Sequence, residues 1–319
     1  MDRFDRGESE PEEGLSPEYA FALLGNEVRM SILHELAKAD GPVRFNELWS
    51  RVGIQDSGRF NYHLGELEGH FLRKTDDGYT LLEAGRNVVL AVYSGVLTDY
   101  PDRRMEQIDQ PCPLCGDRIE VEVTHRGLAR FCLSCSGAFG SRIVEGERTI
   151  AERGYSGTLP LPPAALGGRT LEEAYRTGQV LLNLRMMHRS CSVCHHCGAR
   201  LTHEVDICEQ HDLEGDGICD ACGVMNGPYQ ISVLSQCTNC TLRMGGDLGY
   251  MLYARSPWMA YLLEEGINPV TATAAERPSW SHEVISMDPF EGAFRWHGKD
   301  DTLRIAVDDQ LEVTDVTRM

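Results

Sequence analysis

Lysine is nearly missing from this chain of 319 residues: Lys38, Lys74 and Lys299 are the only three, and the remaining 27 of its 30 basic side chains are arginine. Against them stand 49 acidic residues, for a net charge of −19. Acid excess with so little lysine resembles proteins that stay soluble in multimolar salt through an anionic surface. In ~1 M salt the Debye length is only ~3 Å, so net charge does not exclude a nucleic-acid partner there. Long apolar runs are lacking too. The best, Val88 to Leu97, is broken by Tyr, Ser and Gly and falls far short of the ~20 residues that span a bilayer, so no membrane partner is expected. Residues 1–14 are acidic and poor in apolar side chains, the reverse of a signal or transit peptide, and a cytoplasmic location is expected. Catalytic signatures are also missing. The run Gly245-Gly246-Asp247-Leu248-Gly249 lacks the strand, Lys and Ser/Thr of a phosphate loop, and neither Gly-x-Ser-x-Gly nor His-Glu-x-x-His occurs. The expectation is that the protein is not an enzyme.

Cysteine is absent before Cys112, the first of twelve. The length suggests two or three small units, and charge is spread unevenly over them. Residues 1–14 carry six acids and two bases, residues 15–98 eleven and eight, and residues 99–319 thirty-two and twenty. Some −16 of the −19 thus lies outside residues 15–98.

Residues 15–98 read as helix, helix, helix, helix, hairpin, helix. Pro17 to Leu24 ends at Gly25, and Asn26 caps a second helix in which Val28, Ile32, Leu33 and Leu36 recur at helical spacing. Asn46 to Val52 follows, with Leu48 and Trp49 inward, closed by Gly53. Asp56 and Ser57 open a fourth helix with Phe60, Leu64, Leu67 and Phe71 on its buried face. Leu72-Arg73-Lys74 and Tyr79-Thr80-Leu81 flank the turn Thr75-Asp76-Asp77-Gly78, and a helix over residues 82–94 closes the unit. A helix–turn–helix followed by a two-stranded wing is a DNA-reading arrangement.

Residues 18–95 resemble an ArsR-type winged-helix domain, through Leu24-Gly25-Asn26-Glu27-Val28-Arg29 and the recognition stretch Gly58-Arg59-Phe60-Asn61-Tyr62-His63-Leu64. The resemblance covers about a quarter of the chain. It implies a regulator that binds double-stranded DNA, usually as a homodimer, through the start of the fourth helix and the wing. Ser57, Arg59, Asn61 and Tyr62 are then the exposed reading face, with Arg59 suited to phosphate or guanine and Asn61 to adenine. Arg73 and Lys74 would meet phosphates, while His63 is either a DNA contact or a structural residue. The metal-sensing cysteines of such regulators have no counterpart here, so arsenic or zinc resistance is not implied.

The strongest chemical signal lies downstream. Cys112-x-x-Cys115 and Cys132-x-x-Cys135 are separated by sixteen residues, the pattern of a structural zinc ribbon in which four thiolates close a tetrahedron. The pattern Cys112-Pro-Leu-Cys115-Gly116-Asp-Arg118-Ile119 returns 82 residues later as Cys194-His-His-Cys197-Gly198-Ala-Arg200-Leu201, which indicates a second, longer ribbon. Cys208-x-x-His211, Cys219-x-x-Cys222 and Cys237-x-x-Cys240 extend it. Eleven cysteines and one histidine make twelve ligands, enough for three zinc ions, or two if one site is unused. Cys191 is left over, since glycine follows Cys115, Cys197 and Cys222 and favours Cys194/Cys197 as the pair. In the second region a nested pairing joins Cys194, Cys197, Cys237 and Cys240 at the base of a hairpin and leaves Cys208, His211, Cys219 and Cys222 at its tip. Sequential pairing is the rival. His195, His196 and His203 are off the pair register, with solvated or supporting roles expected.

The expected organisation is α+β and multi-domain. An acidic tail (1–14) precedes the winged helix (15–98) and a first ribbon (105–145). A Pro/Gly linker with a helix (146–190) leads to an extended second ribbon (191–248) and a small α+β segment (249–319). The whole resembles ArsR-like regulators of halophilic archaea. A winged helix followed by a zinc ribbon also resembles TFIIE alpha-type factors, which implies an adaptor that binds a transcription-machinery protein; those have one ribbon and are shorter. A zinc-folded interaction protein that does not touch DNA is the third reading.

Overall fold

In the computed structural model, the structure describes residues 14–139, 154–212, 218–224, 226 and 229–319. The acidic tail expected over residues 1–14 thus falls, but for Gly14, outside the described residues, as do the end of the first expected ribbon and the start of the linker. The chain is α+β and divides into two compact units after Asp99.

The first unit contains α1 (Pro17–Leu24), α2 (Glu27–Ala37), α3 (Phe45–Val52), α4 (Ser57–Leu67), the hairpin β1 (Leu72–Thr75) and β2 (Gly78–Leu81), and α5 (Glu83–Tyr93). Its helix starts follow from local chemistry. The Asn26 side chain accepts from the backbone N–H of Val28 and Arg29 at 3.0 and 3.2 Å, and the Asp56 carboxylate accepts from Gly58 and Arg59 at 2.9 and 3.1 Å. These bonds satisfy donors that a helix leaves open at its N-terminus. The α3 helix starts one residue earlier than expected, at Phe45, whose ring meets Phe60 edge-on at 5.2 Å. Ile32, Leu33, Leu48, Phe60, Leu64 and Leu67 are at most 1% exposed and form the centre of an apolar core. Each such side chain contributes about 1.5–3 kcal/mol of burial free energy before entropy is set against it.

The second unit holds three antiparallel sheets. In the first, β3 (Met105–Pro111), β4 (Arg118–Thr124), β5 (Gly127–Cys132) and β6 (Gly154–Leu159) lie in sequence order. Residues 154–159, expected as linker, are therefore a sheet strand. The composition misleads because the glycine is sterically required: a Cβ on Gly154 would lie 2.0 Å from the carbonyl oxygen of Cys135. The α6 helix (Leu171–Ser190) opens with a capping box between Thr170 and Glu173 and buries Leu171, Ala174 and Tyr175 in the same core as Val121, Leu128 and Leu159. Its far end docks on the second sheet, β7 (Leu201–Ile207), β8 (Ile231–Cys237) and β9 (Arg243–Asp247): Arg189 Nε donates to Ser235 Oγ at 2.7 Å.

The α7 helix (Ser256–Glu264) and the meander β10 (Ser279–Met287), β11 (Phe290–His297), β12 (Thr302–Val307) and β13 (Val313–Arg318) complete the unit. Residues 191–248 and 249–319 were expected as separate pieces. Instead Ile231 and Val233 of β8 share one apolar core with Trp258, Phe294, Trp296 and Ile305. The physical reason is area: a three-stranded sheet buries too little by itself, so its apolar face is covered by the residues that follow.

Candidate metal centres

The thiol pairs of the two four-cysteine sets sit on tight turns beside strand ends, while Cys219 and Cys222 share a turn between β7 and β8. Cys112 follows β3, its N–H donates to the Asp117 carbonyl at 2.6 Å, and the Gly116 N–H returns to the Cys112 carbonyl at 3.0 Å. Cys194 and Cys219 repeat this pattern: Gly198 and Gly223 donate to their carbonyls at 2.9 and 2.8 Å. Gly116, Gly198 and Gly223 have φ of 82°, 73° and 72°, the left-handed region where a Cβ is disfavoured, which explains the residue after each knuckle. At Cys237 the N–H groups of Asn239 and Cys240 point at Sγ from 3.4 and 3.3 Å.

Three groups result: Cys112, Cys115, Cys132 and Cys135; Cys194, Cys197, Cys237 and Cys240; and Cys208, His211, Cys219 and Cys222. Within each, the ligand atoms lie within 4.8 Å of one another. The closest sulfur pairs are Cys115–Cys132 and Cys197–Cys237 at 3.5 Å, Cys194–Cys240 at 3.6 Å, and Cys112–Cys135 and Cys208–Cys219 at 3.8 Å. Cys222 Sγ is 3.5 Å from His211 Nδ1. A disulfide needs ~2.05 Å. Metal–sulfur bonds of ~2.3 Å in a tetrahedron place the sulfurs ~3.8 Å apart. The donor sets therefore fit a metal ion and not cross-links.

All twelve expected ligands are in these groups, and the grouping is the nested one. Sheet register produces it. Antiparallel pairing sets Leu201 opposite Cys237 and Ile207 opposite Ile231. Residues just before β7 must then meet residues at the end of β8, while those just after β7 meet those just before β8. Sequential pairing would instead join residues at the two ends of β7, which a seven-residue strand at ~3.3 Å per residue holds ~20 Å apart. Cys191, exposed at the C-terminal cap of α6, belongs to none of the groups.

The thiols differ in acidity. Backbone donors from Cys240 and Asn239 bring Cys237 down to about 6. Burial pushes Cys222 up to about 11 and Cys135 higher still. These three thiols belong to different groups, and in each a thiol that holds its proton releases it when a cation binds.

Of the off-register histidines, His203 supports the base group from behind. Its Nδ1 lies 2.9 Å from Ser235 Oγ and its Nε2 3.0 Å from Ser192 Oγ, two residues before Cys194. Burial lowers its pKa to about 4, so the ring is neutral near neutral pH. The His195 ring is tilted against that of His196 with centroids 4.2 Å apart, and burial takes its pKa to about 4 as well.

In the first unit, Ser57, Arg59, Asn61 and Tyr62 are exposed on α4, and Arg73 and Lys74 are exposed on β1. His63 is not part of that face. It is 7% exposed, its Nδ1 has no hydrogen-bond partner among the described residues, and burial followed by Arg29 and Arg59 lowers its pKa. Of the two roles left open for it, burial favours the structural one, and helical geometry gives the reason: His63 is three residues after Phe60 and so faces inward with it. Missed altogether was the cluster of Asp247, His282, Arg277 and three tryptophans in the second unit, whose members are spread over some fifty residues of sequence without motif spacing.

The family model described as a domain of unknown function, DUF7351, matches residues 109–313. A second, described as a domain of unknown function, DUF7347, matches residues 17–92. The unit boundary after Asp99 falls between them. No curated protein and no solved structure matches the chain.

Proposed function

We propose that this chain, which belongs to the DUF7351 family, is a DNA-binding transcriptional regulator of the cytoplasm. Its winged helix reads an operator, and its zinc-held second unit serves dimerisation, ligand or partner binding. The observation that carries the reading is the solvent-facing side of α4, where Ser57, Arg59, Asn61 and Tyr62 stand together beyond the Asp56 cap, with Arg73 and Lys74 exposed on the adjacent wing.

The chemistry of reading follows from those side chains. Inserted in a major groove, Asn61 pairs with both Hoogsteen-edge atoms of adenine, and Arg59 with those of guanine or with phosphate. Each good bidentate pair is worth about 1–3 kcal/mol of discrimination. Arg73 and Lys74 set position through phosphates, which carry no sequence information. In molar salt the phosphate contribution shrinks through counterion release, so a larger share of affinity rests on the base contacts.

The metal is zinc in this reading. Two sets of four thiolates, and a third of three thiolates with one imidazole, suit a soft-tolerant d10 cation, and four protein ligands leave no open position for a catalytic water. When bound, the metal supplies folding free energy to strands that bury little. Native mass spectrometry is expected to find three zinc ions per chain.

Genome-wide occupancy of the tagged protein in its own cells tests the DNA reading. A regulator occupies few sharp sites, and Arg59→Ala or Asn61→Ala abolishes them. Occupancy of every active promoter would assign the chain to the general transcription machinery instead, and no enrichment would leave a zinc-folded interaction protein.

A further inference from the structure

We propose that the second unit carries a pocket for a small monocarboxylate with a planar apolar body, the carboxylate being received by Arg277. The pocket stands whether or not α4 reads DNA. It opens where the chain leaving β9 meets α7 and the β10–β11 strands, and six rings wall it: Tyr250, Tyr253, Trp258, Trp280, Phe294 and Trp296. Three of the four tryptophans of the chain thus converge on one place.

The rings close because of the glycine run over residues 245–249. A Cβ on Gly249 would lie 2.3 Å from Phe294 Cε2, and one on Gly246 would lie 2.7 Å from Tyr250 Cδ2. These glycines admit aromatic walls rather than phosphate. The cavity measures about 60 Å³ and is open on one side. That is less than the ~150 Å³ that encloses a whole benzene ring. A ligand therefore seats one end of a flat body against the rings and leaves the rest in the mouth.

Charge selects the ligand class. Two charged side chains line the pocket, Asp247 and Arg277. Asp247 is already engaged: Oδ1 accepts from the Gly249 N–H at 2.7 Å, and Oδ2 faces His282 Nε2 at 3.0 Å. The Ile231 N–H donates to His282 Nδ1 at 3.2 Å, which places the proton of a neutral ring on Nε2, toward the carboxylate. The His282 Nε2–Asp247 Oδ2 pair is an electrostatic contact without hydrogen-bond alignment.

Arg277 differs. Its guanidinium lies 4.9 Å over the Tyr253 ring and donates through Nη2 to Asn183 Oδ1 at 2.6 Å and the Ala272 carbonyl at 3.1 Å. All these partners are neutral, and among the described residues it makes no ion pair with a carboxylate. Its Nε and the indole Nε1 of Trp280 are buried donors without an acceptor among the described residues. What Arg277 lacks is a negatively charged acceptor, since the carboxylate already in the lining, Asp247, is held by the Gly249 N–H and His282. A ring-walled pocket of this kind otherwise suits an organic cation, but Arg277 already holds the Tyr253 face and repels a second positive charge. A guanidinium–carboxylate pair in a partly enclosed site is also screened less by salt than an exposed pair.

Isothermal titration calorimetry on the full-length zinc-loaded protein in molar KCl tests this. Benzoate and indole-3-acetate are the probes, with benzyl alcohol and tetramethylammonium as neutral and cationic counterparts. Both carboxylates are expected to bind saturably, and at least about tenfold tighter than benzyl alcohol, the scale of one charged contact. Tetramethylammonium is expected not to bind. Arg277→Gln removes that preference and Arg277→Lys retains part of it. Equal binding of benzyl alcohol and benzoate, binding of tetramethylammonium, or no heat from either carboxylate up to its solubility overturns the proposal. Arg277→Gln also loses the bond to Asn183, so the ligand series on the unmodified chain decides the matter if that variant unfolds.

Discussion

The two units are stable for different reasons. Residues 14–99 contain no cysteine, and their buried core is apolar apart from His63 at its edge. In the second unit the first two sheets end in thiol clusters, and the ligands themselves enter the core: Cys112 and Cys132 are 2% and 0% exposed and pack with Ile119, Val121 and Leu128. The tip group of Cys208, His211, Cys219 and Cys222 lies outside every apolar core cluster formed by the described residues. The contrast teaches where metal replaces hydrophobic area. A unit with several helices closes over Leu and Phe, whereas short strands with charged outer faces need a clip, and a tip with no core has nothing else.

The largest expected effect is metal removal. Chelation withdraws about 10–16 kcal/mol per structural site. Hydrogen exchange is expected to rise throughout residues 105–139 and 191–247 while α2 and α4 keep their protection. Concerted loss of the α2 and α4 protection would erase the contrast between the units.

Next comes a comparison of ligands. Cys132→Ala removes a fully buried ligand that is also a core residue, and is expected to cost several kcal/mol and unfold the first sheet along with the loss of one metal ion. Cys222→Ala, at the exposed tip, is expected to lose one metal ion while the β7–β8–β9 sheet keeps its exchange protection. Native mass spectrometry with exchange on both variants reads the difference, and equal damage would show that the tip is not autonomous.

In the first unit, Leu33→Ala opens a void at a fully buried site and is expected to cost about 2–5 kcal/mol. Thermal melts followed by exchange should place the loss in residues 14–99, with metal content unchanged.

The smallest effect is titration of His63. Burial and two nearby arginines hold its pKa below the ordinary 6.5. The unfolded chain thus binds this proton more readily than the folded one, so stability is full above about pH 6.5 and declines as pH falls below it. His63→Gln is expected to flatten that decline in the first unit, measured by exchange of the α4 peptides. An unchanged slope would assign the acid sensitivity elsewhere.

Much of this was legible from local spacing. Asn26 and Asp56 cap helices because their side chains reach donors two and three residues on, which depends on nothing distant. The knuckles are equally local, each a turn of a few residues, three of them closed by the left-handed glycines Gly116, Gly198 and Gly223. The β6 strand was hidden because Gly154, which reads as a linker residue, is demanded by the close pass of Cys135. The β10 and β11 strands were hidden because they bury their apolar side chains against distant elements, Trp296 on Trp258 at 3.9 Å among them. His63, which the run left open between a DNA contact and a structural residue, is buried because a helix turns about 100° per residue and sets it beside Phe60 rather than beside Arg59.

The amino-acid sequence by itself determined the short-range features: which residues pair as ligands, where helices begin, where the wing turns, and that acid excess falls mainly outside the first unit. Those depend on a few covalently adjacent residues or on counting. Only the tertiary structure decided which ligand pairs share an ion, because the β7–β8 register brings Cys197 beside Cys237 and Cys208 beside Cys219. It alone decided that Arg277 and three tryptophans face one pocket, since each comes from a different stretch of chain and burial of apolar surface, which has no sequence spacing, drew them together.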